Sequence, residues 1–195
     1  CSHYGVARDL YAYLIQNGKQ ATLQRPSVDG FKVENHDLDI EVKVENSEAC
    51  PHYAGVTVKG VTVKESPEWL KERLVAIGLR PINNIVDITN FVLHEQGTPL
   101  HAFDAARVQG GIVTRTAYEG ETIKALDGQE YTLNCTDLVV ADQSGKALAI
   151  GGVMGGEESG VTQSTMDIIL ESAWFKPSAV RATSRRLALS SDSSY

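Results

Sequence analysis

The sequence GLRPINNIVDITNFVLHEQGTPLHAFD, residues Gly78–Asp104, decides the fold. Ile85, Ile88 and Val92 follow each other at three- and four-residue spacing, which predicts a helix over Asn84–Glu95 with these three side chains buried. Polar side chains are unusually frequent between the apolar ones. A surface helix does not require so many hydrogen-bonding groups, so the stretch also predicts a site.

The end of this helix is expected to bring a histidine back toward it. Gly97 can end the helix with a positive φ and Pro99 prevents its continuation, which places His101 on the exit loop. An alternative stays open, in which Asn83 or Asn84 is an ordinary helix N-cap and His101 is a packing histidine with its hydrogen bonds satisfied. The side chains expected to converge on the site are Arg80, Thr89, Asn90 and His101.

Upstream of this stretch, hydrophobic periodicity predicts two helices and two strands. The helices are expected over 2–17 and from Ser66 to Gly78, and the strands over 37–44 and 52–63. The expected buried positions of the helices are Val6, Leu10, Leu14, Leu70, Leu74 and Ile77. Ser66 is expected to cap its helix, and a bulge near Lys59 and Gly60 is expected to correct the register of the second strand.

Downstream, the pattern predicts mainly strands. Asp127–Gly128 joins two short β-rich runs as a hairpin, a strand is expected over 138–141, and a last helix from Pro177 to about Leu189. The fold class is therefore α+β, a mixed or antiparallel sheet core with packed helices and a pocket between the sheet and the Asn84–Glu95 helix. The expected division is a partial segment over 1–50 and a domain over 51–195.

Two further features have both a structural and a functional interpretation. The run ALAIGGVMGG over 147–156 ends a strand in four glycines, which indicates either close approach of a ligand or a crowded crossing within the sheet. In DIILESAWF, over 167–175, Glu171 shares a strand face with Ile169 and Ala173. A buried carboxylate requires a partner, which is an arginine in a structural ion pair, a set of backbone amides, or a ligand hydroxyl.

Composition limits the functional classes. The net charge of −7 over 195 residues opposes non-specific nucleic-acid binding, and we expect no DNA partner. The basic cluster of Lys176, Arg181, Arg185 and Arg186 leaves local contact open, with a solvated helix face as the alternative. Three widely spaced cysteines favour reduced thiols in the cytoplasm. No metal site is expected, and no apolar run is long enough to predict a membrane span. The first residue, Cys1, suggests an excised piece.

Four motifs carry a resemblance to a known family. The chain resembles, over 51–195, the editing module of the β-subunit of bacterial phenylalanyl-tRNA synthetase, and residues 1–50 resemble the part just before it. The motifs are GLRPINNIVDITNFVLHEQGTPLHAFD, AIGGVMGGEESG, LESAWF and TSRRLALSSDSSY.

The resemblance implies hydrolysis of tyrosyl-tRNA made in error on the phenylalanine tRNA, by a positioned water. It implies that Glu171 accepts the phenolic proton of the tyrosyl group and that Gly152 and Gly155 line the substrate, with the Gly152 amide donating to the same oxygen. His101, Thr89 and Asn90 match the family's residues around the aminoacyl group, with His101 favoured as an orienting group over a base. Arg80 matches a residue near the tRNA terminus or the ester.

The same resemblance implies the partners of the whole enzyme. These are the synthetase α-subunit in an α2β2 assembly and the charged 3′ end of tRNA, with ATP and magnesium used by the α-subunit and no cofactor in this piece. Two other functions stay open. One is a free-standing hydrolase that clears mischarged tRNA, and the other is a non-catalytic docking module of the synthetase.

Overall fold

The computed structural model describes residues 2–191. Cys1 and the last four residues of the motif TSRRLALSSDSSY lie outside the described residues. The fold is α+β, with four α-helices and a mixed sheet in the described part, which confirms the predicted class. Two compact units are present, Cys1–Asp37 with Glu65–Leu100 and Leu38–Lys64 with His101–Tyr195. The proposed segments 1–50 and 51–195 stay a prediction. Within residues 2–191, no helix has both the length and the apolar character needed to cross a bilayer.

The first unit contains the helices α1 (His3–Gln16), α2 (Glu68–Ala76) and α3 (Asn84–Gln96). The Ser2 hydroxyl caps α1 by accepting a hydrogen bond from the amide of Gly5 at 3.0 Å. The predicted burial of Val6 and Leu10 is wrong, because they are 61% and 55% exposed. Of the predicted face only Leu14 is half-buried, together with Tyr4 and Tyr11.

Helix α2 follows the prediction in its core and departs from it at both ends. Leu70 and Leu74 are buried as expected. Ile77 is 40% exposed, because it lies in the turn that ends the helix just before Gly78. Ser66 does not cap the helix, since its hydroxyl donates to Oδ2 of Asp87 at 2.5 Å.

Helix α3 begins and ends close to the predicted positions, and its predicted buried face is confirmed in part, since Ile85 is buried and Val92 is half-buried. The side-chain oxygen of Asn83 accepts hydrogen bonds from two first-turn amides at 3.0 Å, and Gly97 ends the helix with φ +77. The predicted burial of Ile88 is wrong, since it is 47% exposed while Asp87 is fully buried. The Asp87 carboxylate accepts from the amide of Ile82 at 2.9 Å as well as from Ser66, which anchors that face inward.

The second unit contains the sheets. Its strands are β1 (Glu41–Val44), β2 (His52–Val58), β3 (Leu100–Asp104, whose first residue belongs to the other unit), β4 (Gly111–Thr116), β5 (Thr122–Lys124), β6 (Glu130–Thr132), β7 (Leu138–Asp142), β8 (Ala147–Ile150), β9 (Met154–Gly155) and β10 (Ile168–Trp174). Five strands form a sheet in the order β1-β4-β7-β8-β9, three form another in the order β2-β10-β3, and β5 pairs with β6. Within the five-stranded sheet only the β1–β4 pair is parallel, and helix α4 (Pro177–Leu187) follows the last strand.

Several predicted strands are confirmed, although β1 is shorter than the expected 37–44 and β7 extends one residue beyond the expected 138–141. The hairpin around Asp127–Gly128, the strand from Leu138 and the last helix from Pro177 are present. The strand predicted over 52–63 is wrong beyond Val58, and no bulge extends it. Gly60 instead has φ +69 and donates its amide hydrogen to Oδ1 of Asp167 at 2.9 Å, so the chain turns there.

The core of this unit lies between its two larger sheets and beneath α4. Phe103 and Ile169 of one sheet pack with residues of the other in a buried cluster that also contains Ile112, Val140, Leu148 and Ala149. A second cluster joins Val180 on α4 and Leu189 to Val139 and Ile150. These apolar contacts fix the strand that carries Glu171, so its side chain has one direction to point.

Replacing the buried anchor of the first unit should destabilise the protein. Asp87→Ala leaves the Ser66 hydroxyl and the Ile82 amide without their acceptor, and we expect the free energy of unfolding to fall by about 3 kcal/mol. Urea unfolding of the wild type and the variant measures this difference. Asp9→Ala, at an exposed position of α1, is the control and should change the value by less than about 0.5 kcal/mol. Equal effects of the two substitutions would contradict the anchoring role.

Candidate functional site

Glu171 lies at the centre of the three-stranded sheet with its side chain turned into the protein. Strand alternation places Ile169 and Glu171 on the inner face, where they are 2% and 8% exposed. In the antiparallel pairing with β2, Glu171 lies opposite Gly55 and Ala173 lies opposite Tyr53. The hydroxyl of Tyr53 donates to Oε2 of Glu171 at 2.7 Å. The partner of this buried carboxylate is thus a neutral phenol, and not the cation of an ion pair.

Burial sets the ionisation of this pair. It raises the pKa of Glu171 to about 7, against the hydrogen bond from Tyr53, which favours the charged form. Burial also raises the pKa of Tyr53 far above its ordinary value, and the nearby Glu171 charge acts in the same direction. The Tyr53 phenol therefore remains a hydrogen-bond donor throughout the range in which Glu171 titrates. The pKa of the buried Cys50 thiol is raised by burial and, to a lesser degree, by the same carboxylate.

His101 lies on β3 and not on the predicted exit loop, because the chain enters the sheet directly after Pro99. Its ring packs edge-on against Phe103, with 4.5 Å between the ring centroids. Its Nε2 is buried and finds no hydrogen-bond partner in the described part of the chain, so the interpretation as a fully satisfied packing histidine fails at this atom. Burial lowers the pKa of His101 to about 4, and the imidazole is neutral near pH 7.

The same sheet face carries both His101 and Glu171. Side chains two apart on a strand point to one face, so His101 projects with Phe103 and Glu171 projects with Ile169. Phe103 and Ile169 belong to one buried cluster. Strands β3 and β10 are neighbours in the sheet. An imidazole and a carboxylic group with opposite pKa shifts therefore point into the same layer.

The glycines after β8 are required by close packing. A Cβ on Gly155 would collide with Cε1 of His101 and lie 3.0 Å from its Nε2. Gly152 has φ +71, and a Cβ there would lie 2.8 Å from Cγ2 of Val180 and 3.0 Å from Phe175. The crowded-crossing interpretation is confirmed at these positions. Approach of a ligand to Gly152 or Gly155 stays a prediction.

Three of the predicted site residues lie in the first unit, on or just before α3. Thr89 is 9% exposed and donates its hydroxyl hydrogen to the carbonyl of Val86 at 2.7 Å. Asn90 is half-buried beside it, and Arg80 is exposed in the loop that leads to the helix. Their convergence with His101 in a pocket beside the sheet stays a prediction.

The basic cluster is partly neutralised within the chain. Lys176 pairs with Glu48 at 2.7 Å, and Arg186 pairs with the buried Asp137. Arg181 and Arg185 lie exposed on α4. The cluster thus contains two structural cations and two that face solvent.

Tyr53 is the residue of this site that the sequence interpretation missed. A local signal was present, because alternation over 52–58 places Tyr53, Gly55 and Thr57 on one face. Its contact with Glu171 joins residues 118 positions apart. Only the pairing of β2 with β10 shows that the phenol reaches the carboxylate.

Comparison with known proteins identifies the family. Residues 49–195 match the profile of the B3/4 domain. The chain belongs to the B3/4 domain family. The matched residues include β2 to β10, α4, His101 and Glu171, whereas β1 precedes the match, which begins one residue before Cys50.

Relatives of this B3/4 protein include named synthetase subunits. It is 63% identical to the phenylalanine–tRNA ligase beta subunit of Bacteroides thetaiotaomicron and 54% identical to that of Porphyromonas gingivalis, over 100% of this chain and 24% of each relative. The chain thus spans about a quarter of the length of these curated relatives. The resemblance to this subunit is confirmed along the whole chain.

A solved structure shows the same fold in a distant protein. It is an N-terminal fragment of the phenylalanyl-tRNA synthetase beta-subunit from Pyrococcus horikoshii, with a TM-score of 0.55 and 17% identity. The match covers 96% of this chain and 56% of that one.

The shifted pKa of Glu171 predicts a pH-dependent cost in stability. The folded protein holds the proton up to about pH 7, whereas the unfolded chain releases it near the ordinary glutamate pKa of 4.5, so wild-type stability falls as pH rises through this window. Glu171→Gln removes that cost, and its stability relative to wild type should rise by about 3 kcal/mol between about pH 4 and about pH 8. Urea unfolding at both pH values measures the difference. Glu72→Gln, at an exposed position of α2, should show no such trend, and a pH-independent difference for Glu171→Gln would contradict the assignment.

Proposed function

We propose that this chain is part of a phenylalanyl-tRNA synthetase β-subunit. We further propose that its B3/4 domain hydrolyses the ester formed when tyrosine is attached in error to the phenylalanine tRNA. The observation that carries the proposal is the carboxylate of Glu171, buried in an apolar layer and hydrogen-bonded to a phenol at 2.7 Å. A group in this environment has the chemistry to recognise a second phenol, that of a tyrosyl group.

The energetic need for such a site follows from the chemistry of the two amino acids. An apolar pocket built for phenylalanine rejects a ligand with one added hydroxyl only about a hundredfold. A second site must instead accept tyrosine and refuse phenylalanine. A buried polar group that is left unpaired costs about 1–3 kcal/mol, and more when it is charged. Phenylalanine would leave Glu171 one donor short, whereas tyrosine would supply it.

The proposed hydrolysis uses a positioned water, because an aminoacyl ester is already activated. The pKa of His101, lowered to about 4, makes its imidazole a weak base near pH 7. We therefore assign His101 to orienting the water through its neutral ring. Its buried Nε2, which has no partner within the described residues, is available for that hydrogen bond.

Thr89, Asn90 and Arg80 are assigned to the ester end of the substrate. The Thr89 hydroxyl already donates to Val86, so its oxygen is left as an acceptor, which suits the α-ammonium group. Asn90 carries an amide that can donate to the ester carbonyl, and Arg80 is an exposed cation suited to the tRNA terminus. The amide of Gly152 is assigned to the phenolic oxygen, as the resemblance implies.

The parent enzyme supplies the remaining functions in this proposal. The net charge of −7 opposes extensive contact with the tRNA phosphates. In this proposal the chain therefore meets only the aminoacylated 3′ end, while other parts of the synthetase hold the tRNA body. The partner is the α-subunit in a cytoplasmic α2β2 assembly, where ATP and magnesium act in aminoacylation. No step of the editing reaction uses either group. Identity over the whole chain to synthetase subunits favours this function over a free-standing hydrolase.

Deacylation assays on the intact enzyme test the proposal. Tyrosyl and phenylalanyl esters of the phenylalanine tRNA are incubated with wild type, with Glu171→Gln, and with Glu157→Gln, in which an exposed glutamate paired with Lys124 is changed. We expect wild type and Glu157→Gln to clear the tyrosyl ester selectively. The selectivity of Glu171→Gln should fall about tenfold or more, because the charged acceptor is lost. If wild type hydrolyses neither ester, the domain is a docking module; if Glu171→Gln stays selective, the carboxylate is structural.

A further inference from the structure

The hydrogen bond between Tyr53 and Glu171 uses one of two carboxylate oxygens. Tyr53 donates to Oε2 at 2.7 Å. Within residues 2–191, the Glu171 side chain has no other hydrogen bond. An ionised carboxylate can accept several hydrogen bonds, so Oε1 retains its acceptor capacity.

The strand register explains why the phenol meets the carboxylate from the side. Gly55 lies directly opposite Glu171, so β2 places no side chain across from the carboxylate. Tyr53 lies opposite Ala173, two positions along, and diagonal neighbours of this kind are within reach of an aromatic side chain. The small Ala173 leaves room for the ring. Tyr53 thus contacts one edge of the carboxylate, and β2 contributes no side chain directly across from it, since a Cβ on Gly55 would instead meet Cγ2 of Val42 at 3.5 Å.

The chemistry of the pair makes this contact a directional constraint. A buried carboxylate without a cation is stabilised by a donor, and a hydrogen bond to a charged group is stronger than one between neutral groups. The phenol of Tyr53 keeps its proton, so its role as donor does not change when Glu171 ionises. The ring itself is held in the cluster formed by Phe103, Ile169 and their neighbours. Rotation of the Glu171 carboxylate would break this bond.

We propose that Tyr53 is a positioning residue for tyrosine selectivity, whose hydroxyl holds Oε2 of Glu171 so that Oε1 is presented to the phenol of the tyrosyl ester. This inference rests on the proposed function. The alternative is that the Tyr53 phenol occupies the binding position of the substrate phenol on Glu171. In that arrangement Tyr53 would compete with the substrate, and its removal would improve selectivity.

The test uses Tyr53→Phe in the intact enzyme, alone and combined with Glu171→Gln. The measured quantity is the ratio of kcat/KM for tyrosyl ester to that for phenylalanyl ester on the phenylalanine tRNA. We expect Tyr53→Phe to lower this ratio about tenfold. In the Glu171→Gln background the same substitution should lower it no further, because Tyr53 acts through that carboxylate.

The chain offers a matched control. Tyr131 donates its hydroxyl to Oδ2 of Asp127 at 2.6 Å on the exposed hairpin, so Tyr131→Phe removes the same kind of bond away from the site. This variant should keep the wild-type ratio. Both esters are measured on one preparation of each variant, so a partly unfolded fraction cancels from the ratio.

Four results would overturn the inference. An unchanged ratio for Tyr53→Phe would show that its hydroxyl has no part in selectivity, and a raised ratio would show that it competes with the substrate. An equal loss in the wild-type and Glu171→Gln backgrounds would show that it acts elsewhere. If wild type clears the tyrosyl ester selectively and Tyr53→Phe has the same kcat/KM ratio, this inference alone is rejected. If wild type clears neither ester, the proposed function and this inference are rejected together.

Discussion

A carboxylate buried in a sheet interior without a cation is the constraint on which this site depends. Desolvation of Glu171 raises its pKa to about 7, so at neutral pH the protein holds a group balanced between its two charge states. A phenol on the neighbouring strand supplies the hydrogen bond that stabilises the charged form. Ionised Glu171 therefore costs folding stability, and no ion pair within residues 2–191 offsets that cost. This is the physical reason for assigning Glu171 to recognition.

Two glycines in the surrounding strands place no side chain beside Glu171 and His101. Gly55 leaves the position opposite Glu171 without a side chain, and Gly155 leaves room for the His101 ring. His101 is half-buried as a neutral imidazole, and its buried Nε2 has no hydrogen-bond partner among residues 2–191. Two polar groups with opposite pKa shifts on one sheet face are thereby held without an ion pair between them. An uncharged orienting group and an ionisable acceptor suit hydrolysis of an ester whose side chain carries one hydroxyl.

Sequence reasoning succeeded where the determinants are local and failed where they are long-range. Asn83 and Gly97 mark the ends of α3, and period-two alternation correctly turns Glu171 inward, since capping and pleating depend on neighbouring residues. The burial of Asp87 in place of Ile88 could not be predicted, because it depends on Ser66, which lies 21 positions away. Tyr53 was missed for the same reason, as its role depends on the register of β2 against β10. The position of His101 on a strand depends likewise on distant pairing.

The most direct test of the central claim is a crystal structure with a non-hydrolysable amide analogue of the 3′-tyrosyl-adenosine end of tRNA. The account predicts the phenolic oxygen of the ligand within hydrogen-bonding distance of Oε1 of Glu171, with Tyr53 still bonded to Oε2. It also predicts that the phenylalanyl analogue, soaked under the same conditions, leaves Oε1 without this partner. A ligand bound with its phenol away from Glu171 would contradict the claim that this carboxylate recognises tyrosine.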